Sequence, residues 1–220
     1  MNIKKIDFPA GQYFQEEHPK KQIYLHHTAG NPDGEGTFRY WGNNNERVAT
    51  CVTITGKMKD KPELDGLIIQ GFPSKHWAYH LGIPTNVFTT RSIPYQRLDK
   101  ISIGIEVCNW GPLTKDGNKF YNYVGREVPA DEVCTLAAPY KGHIYYHNYT
   151  DKQIQSVKDL LLYWKEKYGI PLTYHEDIWD VTPRALKGEA GVYTHNSVRK
   201  DKSDIYPHPK MVEMLKSIGQ

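Results

Sequence analysis

Apolar positions along this chain fall into short runs separated by glycine, proline and asparagine punctuation. "QIYLHHTA" over 22–29 is apolar and β-prone and predicts a central strand. "RVATCVTITG" over 47–56 is rich in β-branched residues and predicts a second. "GLIIQGF" over 66–72, bounded by glycines, predicts a third. "ISIGIEVCNWG" over 101–111 predicts a fourth, and its nearly unbroken aliphatic run is the pattern of a strand buried on both faces. "NKFYNYVGREV" over 118–128 fits a hairpin arm, and "GTFRYWGNNN" over 36–45 fits a short helix or an irregular connection.

The period then changes. In "TDKQIQSVKDLLLYWKEKYG", Ile154, Val157, Leu160, Leu161 and Trp164 recur at helical spacing. Thr150 or Asp151 can cap this helix and Gly169 can close it. "PKMVEMLKSIG" predicts a short terminal helix. The expected fold is α/β, a central mixed β-sheet flanked by α-helices. No repeat, low-complexity tract or long Ser/Gly linker interrupts it, so residues 1–220 are expected to form a single domain.

Composition narrows the function. A hydrophobic fraction of 39% with 24% charged residues suits a folded, water-soluble chain. The formal charge is only +3, without a Lys/Arg run able to track phosphates, so no nucleic-acid partner is expected. The 16 Tyr and five Trp suit carbohydrate or peptide contact as well as an ordinary core. Cys51, Cys108 and Cys134 are an odd count without a CxxC, which predicts free thiols and a reducing compartment. The N-terminus has lysines but no apolar stretch of the secretory kind, so synthesis in the cytoplasm without a signal peptide is expected. No apolar run approaches the ~20 residues that span a bilayer, so no membrane insertion is expected.

Three features carry candidate chemistry. His26 and His27 end the first strand, and alternation lets only one of them face a given site. Glu106 lies in the apolar strand "SIGIEV", where an isolated carboxylate is costly unless partnered or shifted in pKa. The polar segment "GVYTHNSVRKDKSDIYP" reads as a loop and offers His195, Lys202 and Asp204. Two imidazoles and one carboxylate would leave zinc an open position for water. The plainer alternatives are an edge strand with Glu106 in water, and a loop in which His195 caps a turn and Asp204 pairs with Lys202.

Together "LHHTAG", "WAYHLG", "SIGIEV" and "THNSVRKDKSD" resemble, in order, the motifs of the zinc N-acetylmuramoyl-L-alanine amidases. That family includes phage lysins, bacterial recycling amidases and peptidoglycan recognition proteins. The resemblance runs from Ile23 to Pro207 and implies the following roles. Zinc is held by His26, His195 and Asp204. Glu106 works as the base on the attacking water, and Lys202 stabilises the oxyanion. His80 and Trp77 contact substrate, and His27 is structural or supports the ligands. The partner is peptidoglycan or soluble muropeptides, cut between N-acetylmuramic acid and L-alanine by a monomer that has no separate wall-binding module. A phage lysin would act bacteriolytically on the cell wall, and a recycling enzyme would act in the cytoplasm. The alternative on the same fold is a non-catalytic receptor, which typically lacks a zinc ligand. His175, in "TYHEDI", also resembles the late ligand. His195 is preferred because it lies nine positions before Asp204, against 29 for His175. Where many relatives have "HYVI" on the second strand, this chain has "CVTI" from Cys51, which removes a tyrosine and leaves more of the work to Glu106.

Overall fold

The structure is a computed structural model that describes all 220 residues. Five strands come first along the chain in its main sheet: β1 (Ile3–Lys5), β2 (Gln22–His27), β3 (Val52–Ile54), β4 (Ile68–Gln70) and β5 (Ser102–Val107). Two small outlying sheets follow. One holds β6 (Thr114–Asp116), β7 (Lys119–Tyr121) and β8 (Glu127–Val128), and the other is the hairpin of β9 (Val133–Tyr140) and β10 (His143–His147). The sixth strand of the main sheet, β11 (Gly191–Thr194), joins last. The helices are α1 (Gly34–Gly42), α2 (Thr85–Thr89), α3 (Leu98–Ile101), α4 (Asp151–Tyr168), α5 (Pro183–Leu186) and α6 (Pro209–Ile218).

The main sheet runs β1-β4-β3-β5-β2-β11 and is mixed, because β3 and β4 pair antiparallel while the other neighbours are parallel. Its centre is β5 and β2, and every residue of both strands is buried. This is what their continuous aliphatic runs require, since helices and loops cover both faces. Glu106 therefore lies on a central strand and not on a wet edge. All four strands predicted from the apolar runs are present.

Helix α4 begins where predicted. Thr150 Oγ1 accepts from the Gln153 amide at 3.0 Å, and the Gln153 side chain accepts from the Thr150 amide, a reciprocal cap. It ends at Gly169, whose φ of 70° is the left-handed conformation that glycine adopts freely. The predicted stripe of Ile154, Val157, Leu160, Leu161 and Trp164 is buried, against β3 and α6. The core is one continuous cluster on both sides of the sheet. All three cysteines are free and buried. No helix is long and apolar enough to cross a membrane.

Candidate metal centre

Strand register places the first pair of groups. His26 on β2 stands level with Glu106 on β5, and Thr53 on β3 stands level with Glu106 from the other side. Register partners in a pleated sheet share a face, so His26 and Glu106 point the same way. On the opposite edge of β2, Leu25 pairs with Thr194, the last residue of β11. The next residue, His195, therefore leaves the strand beside His26. It opens a single 3₁₀ turn, His195–Ser197, that the Ser197 hydroxyl ties back by accepting from the Thr194 amide at 3.0 Å. The loop then returns to Asp204. Asn196 Nδ2 donates to the carbonyls of Asp204 and Ile205, both at 3.0 Å, and so fixes the end of the loop.

Three donor atoms converge. His26 Nδ1 lies 3.1 Å from His195 Nδ1 and 3.2 Å from Asp204 Oδ2, and His195 Nδ1 lies 2.9 Å from Asp204 Oδ2. No other group of three or more His, Cys, Asp or Glu side chains in the chain converges like this. Tetrahedral zinc at about 2.0–2.1 Å from its donors needs edges of about 3.3 Å, close to this triangle. The proton inventory agrees. His195 Nε2 donates to the Leu81 carbonyl at 2.9 Å, and its Nδ1 faces the carboxylate oxygen of Asp204. Two acceptors in contact require a proton or a cation between them. Burial and the neighbouring His195 pull His26 down to about 4, which keeps it neutral near pH 7, as a ligand must be. Burial opposes ionisation of Asp204, but His195 and His26 outweigh it and hold that carboxyl well below the usual carboxylate range. Two imidazole nitrogens with one carboxylate oxygen fit zinc.

Glu106 is different. It makes no hydrogen bond or ion pair within the protein, and its carboxyl is pushed up by burial and by the Asp204 charge, partly offset by Lys202. Lys202 lies on the same loop as Asp204 and does not pair with it. Both Glu106 and Lys202 line an open groove of about 860 Å³, together with His26, His195 and Asp204. Tyr40, Trp41 and Tyr123 contribute its aromatic walls. Tyr40 and Tyr123 had no sequence signal, because a tyrosine is equally at home in a core.

The other expected residues are distributed as follows. His27 faces away from the three donors, with Nδ1 2.8 Å from the Tyr149 hydroxyl, and burial lowers it to about 4. Its Nε2 has no partner and presses on Gly111, where an added Cβ would sit 2.9 Å away. His175 is exposed at the start of a 3₁₀ turn and lies outside both the groove and the donor triangle. His80 lines the groove and lies against the Nε2 side of His26. Trp77 does not fit its expected substrate contact. It is 3% exposed, stacks on Phe14 with ring centroids 3.9 Å apart, and does not line the groove. Its apolar ring is absorbed by packing among Phe14, Tyr79 and the Lys100 ammonium.

A carboxyl beside three converging metal-type donors, opening on a groove, can support metal-assisted hydrolysis. The sequence model of the N-acetylmuramoyl-L-alanine amidase family matches residues 16–209, and the chain belongs to that family. Solved structures share the fold. PlyL superposes with a TM-score of 0.53 at 18% identity, over 100% of this chain and 99% of that one. The catalytic domain of XlyA gives 0.55 at 15% identity, over 100% of both chains. The amidase AmiD from E. coli, solved with anhydro-N-acetylmuramic acid-L-Ala-D-gamma-Glu-L-Lys, gives 0.51 at 18% identity, over 94% of this chain and 60% of that one. No curated protein matches the chain by sequence.

Proposed function

We propose that this amidase hydrolyses the bond between the lactyl carbonyl of N-acetylmuramic acid and the amine of L-alanine, with zinc held by His26, His195 and Asp204. The observation that supports this best is the triangle of two Nδ1 atoms and one carboxylate oxygen, 2.9–3.2 Å on its edges, beside an unpartnered Glu106. The muramyl peptide in the AmiD structure supports the substrate class.

Zinc, when bound, supplies a Lewis acid that acidifies water and polarises a carbonyl. Glu106 takes the proton of the attacking water, for which its freedom from other hydrogen bonds suits it. The hydroxyl adds to the lactyl carbon, and the ammonium of Lys202 stabilises the negative charge that develops on the carbonyl oxygen. Glu106 returns its proton to the alanine nitrogen as the carbon–nitrogen bond breaks. The products are a lactyl carboxylate and a free α-amine. Tyr40, Trp41 and Tyr123 offer flat surfaces against which glycan and stem peptide can lie.

Metal removal tests this reading. Dialysis against a strong chelator should abolish hydrolysis, and one equivalent of zinc per chain should restore it. Full activity in rigorously metal-free protein would contradict it.

A further inference from the structure

Behind the donor triangle, the groove-facing histidines are held by a second set of contacts. His26 Nε2 lies 3.0 Å from His80 Nδ1, and His80 Nε2 lies 2.8 Å from Ser102 Oγ. The Ser102 hydroxyl in turn donates to the Asp99 carbonyl at 3.5 Å. The hydroxyl has a single proton, and if that proton goes to the Asp99 carbonyl, which can only accept, the direction of the other protons in this chain follows. Ser102 gives its proton to Asp99 and accepts from His80 Nε2–H. His80 Nδ1 is then a lone pair that accepts from His26 Nε2–H. His26 is left with a bare Nδ1 facing His195 and Asp204. The neighbouring residue does the same for the other imidazole, because the Leu81 carbonyl takes the proton of His195 Nε2 at 2.9 Å. The dipeptide is itself fixed: Asp99 Oδ1 accepts from the His80 amide at 2.9 Å and from the Leu81 amide at 3.0 Å.

We infer that the His80–Leu81 segment, clamped by Asp99, is the positioning element that selects the Nε2–H tautomer of both His26 and His195, with His80 acting through Ser102 as a proton-direction relay and not as a substrate contact. The alternative tautomer of His26 is close at hand, since Asp204 Oδ2 is 3.2 Å from its Nδ1 and would accept a proton there. Without His80, that hydrogen bond wins and the metal-facing lone pair is lost. The inference rests on the metal-binding reading of the triangle, but the tautomer can be read without any metal.

The test has two arms on the full chain, both with His80→Ala and His80→Asn. Asparagine places its side-chain oxygen near the position of the lost Nδ1 and can accept from His26. In the first arm, nitrogen-15 NMR of metal-free protein near pH 7.5 reads the His26 tautomer. It should be Nε2–H in the wild type and in His80→Asn, and shift toward Nδ1–H in His80→Ala. In the second, zinc affinity is measured by chelator competition. Outer-sphere partners of ligating histidines typically contribute 10–100-fold, so His80→Ala should weaken zinc by about that factor and His80→Asn should recover most of it. A wild-type His26 protonated on Nδ1, or unchanged zinc affinity in folded His80→Ala, would overturn the relay. Failure of the wild type to bind zinc with the Nε2–H tautomer intact would instead overturn the metal reading and leave the relay standing.

Discussion

At Glu106 two influences compete. Burial and the Asp204 carboxylate favour the protonated form, and the Lys202 ammonium favours the ionised one. A dication at the donor triangle would add to the second. Glu106→Gln keeps the size of the side chain but removes the base, so turnover should fall by roughly 10²–10⁴ while zinc content is unchanged. Kinetics and metal analysis on one preparation separate the roles: near-normal turnover would place the base elsewhere, and loss of zinc would make Glu106 a ligand. The two late histidines separate in the same way. His195→Ala should release zinc and His175→Ala should retain it, because only His195 reaches the triangle; the reverse result would require a different ligand set. The metal-type residues were legible because their types and order survive in short motifs. Alternation required that only one of His26 and His27 face the site, and the family resemblance chose His26. What lies behind them was not legible. The contact of His80 with His26 depends on where one loop crosses the sheet, and Trp77 is a reminder that an aromatic motif residue can be spent on packing.

Among the elements, the β9–β10 hairpin is tied to the main body by charge. Glu132, just before β9, lies 3.6 Å from His147 Nε2 at the end of β10 and 2.8 Å from Lys57 Nζ on the loop after β3. His147 and then Lys57 outweigh partial burial and lower its pKa from 4.5 to about 2. A depressed carboxyl stabilises the fold above its unfolded pKa and loses that contribution as pH falls through the folded one. Because Glu132 is partly exposed, the effect is screened to about 1 kcal/mol. Glu132→Gln should therefore lower stability by about that much at pH 7, and the gap to wild type should close between pH 4.5 and about 2. Denaturant melts at both pH values check it, and an equal loss at each would rule out the ion pair as the cause. The helices and strands with strong periods were legible. Helix α4 had caps at both ends and a complete apolar stripe, and β2 and β5 had unbroken runs. Short elements outside those apolar runs were not, although the three-residue β3 and β4 fell within predicted runs. Strands β1 and β11 have only three and four residues and borrow their order from the sheet beside them. Strand β9 contains Pro139 and two alanines, which weaken any strand signal, and it persists because it pairs on one side only.

For the whole molecule, the shape of the groove bears on the substrate. It is open rather than enclosed, and its lining holds the triangle, Glu106 and Lys202 together. A polymer can lie across such a groove, so intact sacculi should be cut as well as soluble muropeptides. Release of free amines from each substrate measures this, and cleavage of soluble fragments alone would place the chain with enzymes that recycle imported wall pieces. The central mixed sheet was visible in the sequence because the strands that carry the site are also its most apolar. Of the outlying sheets, the β7–β8 hairpin that brings Tyr123 to the groove lies within the arm expected over 118–128, while β6 and the β9–β10 pair left no such pattern. The most direct measurement is product identification by mass spectrometry, with a defined muropeptide incubated with zinc-loaded and with chelated protein. The account predicts a free stem peptide with an L-alanine amine at its N-terminus and a muramic acid with a free lactyl carboxylate, from the zinc-loaded protein only. Products that retain the lactyl–alanine bond, or identical cleavage by the chelated protein, would contradict it.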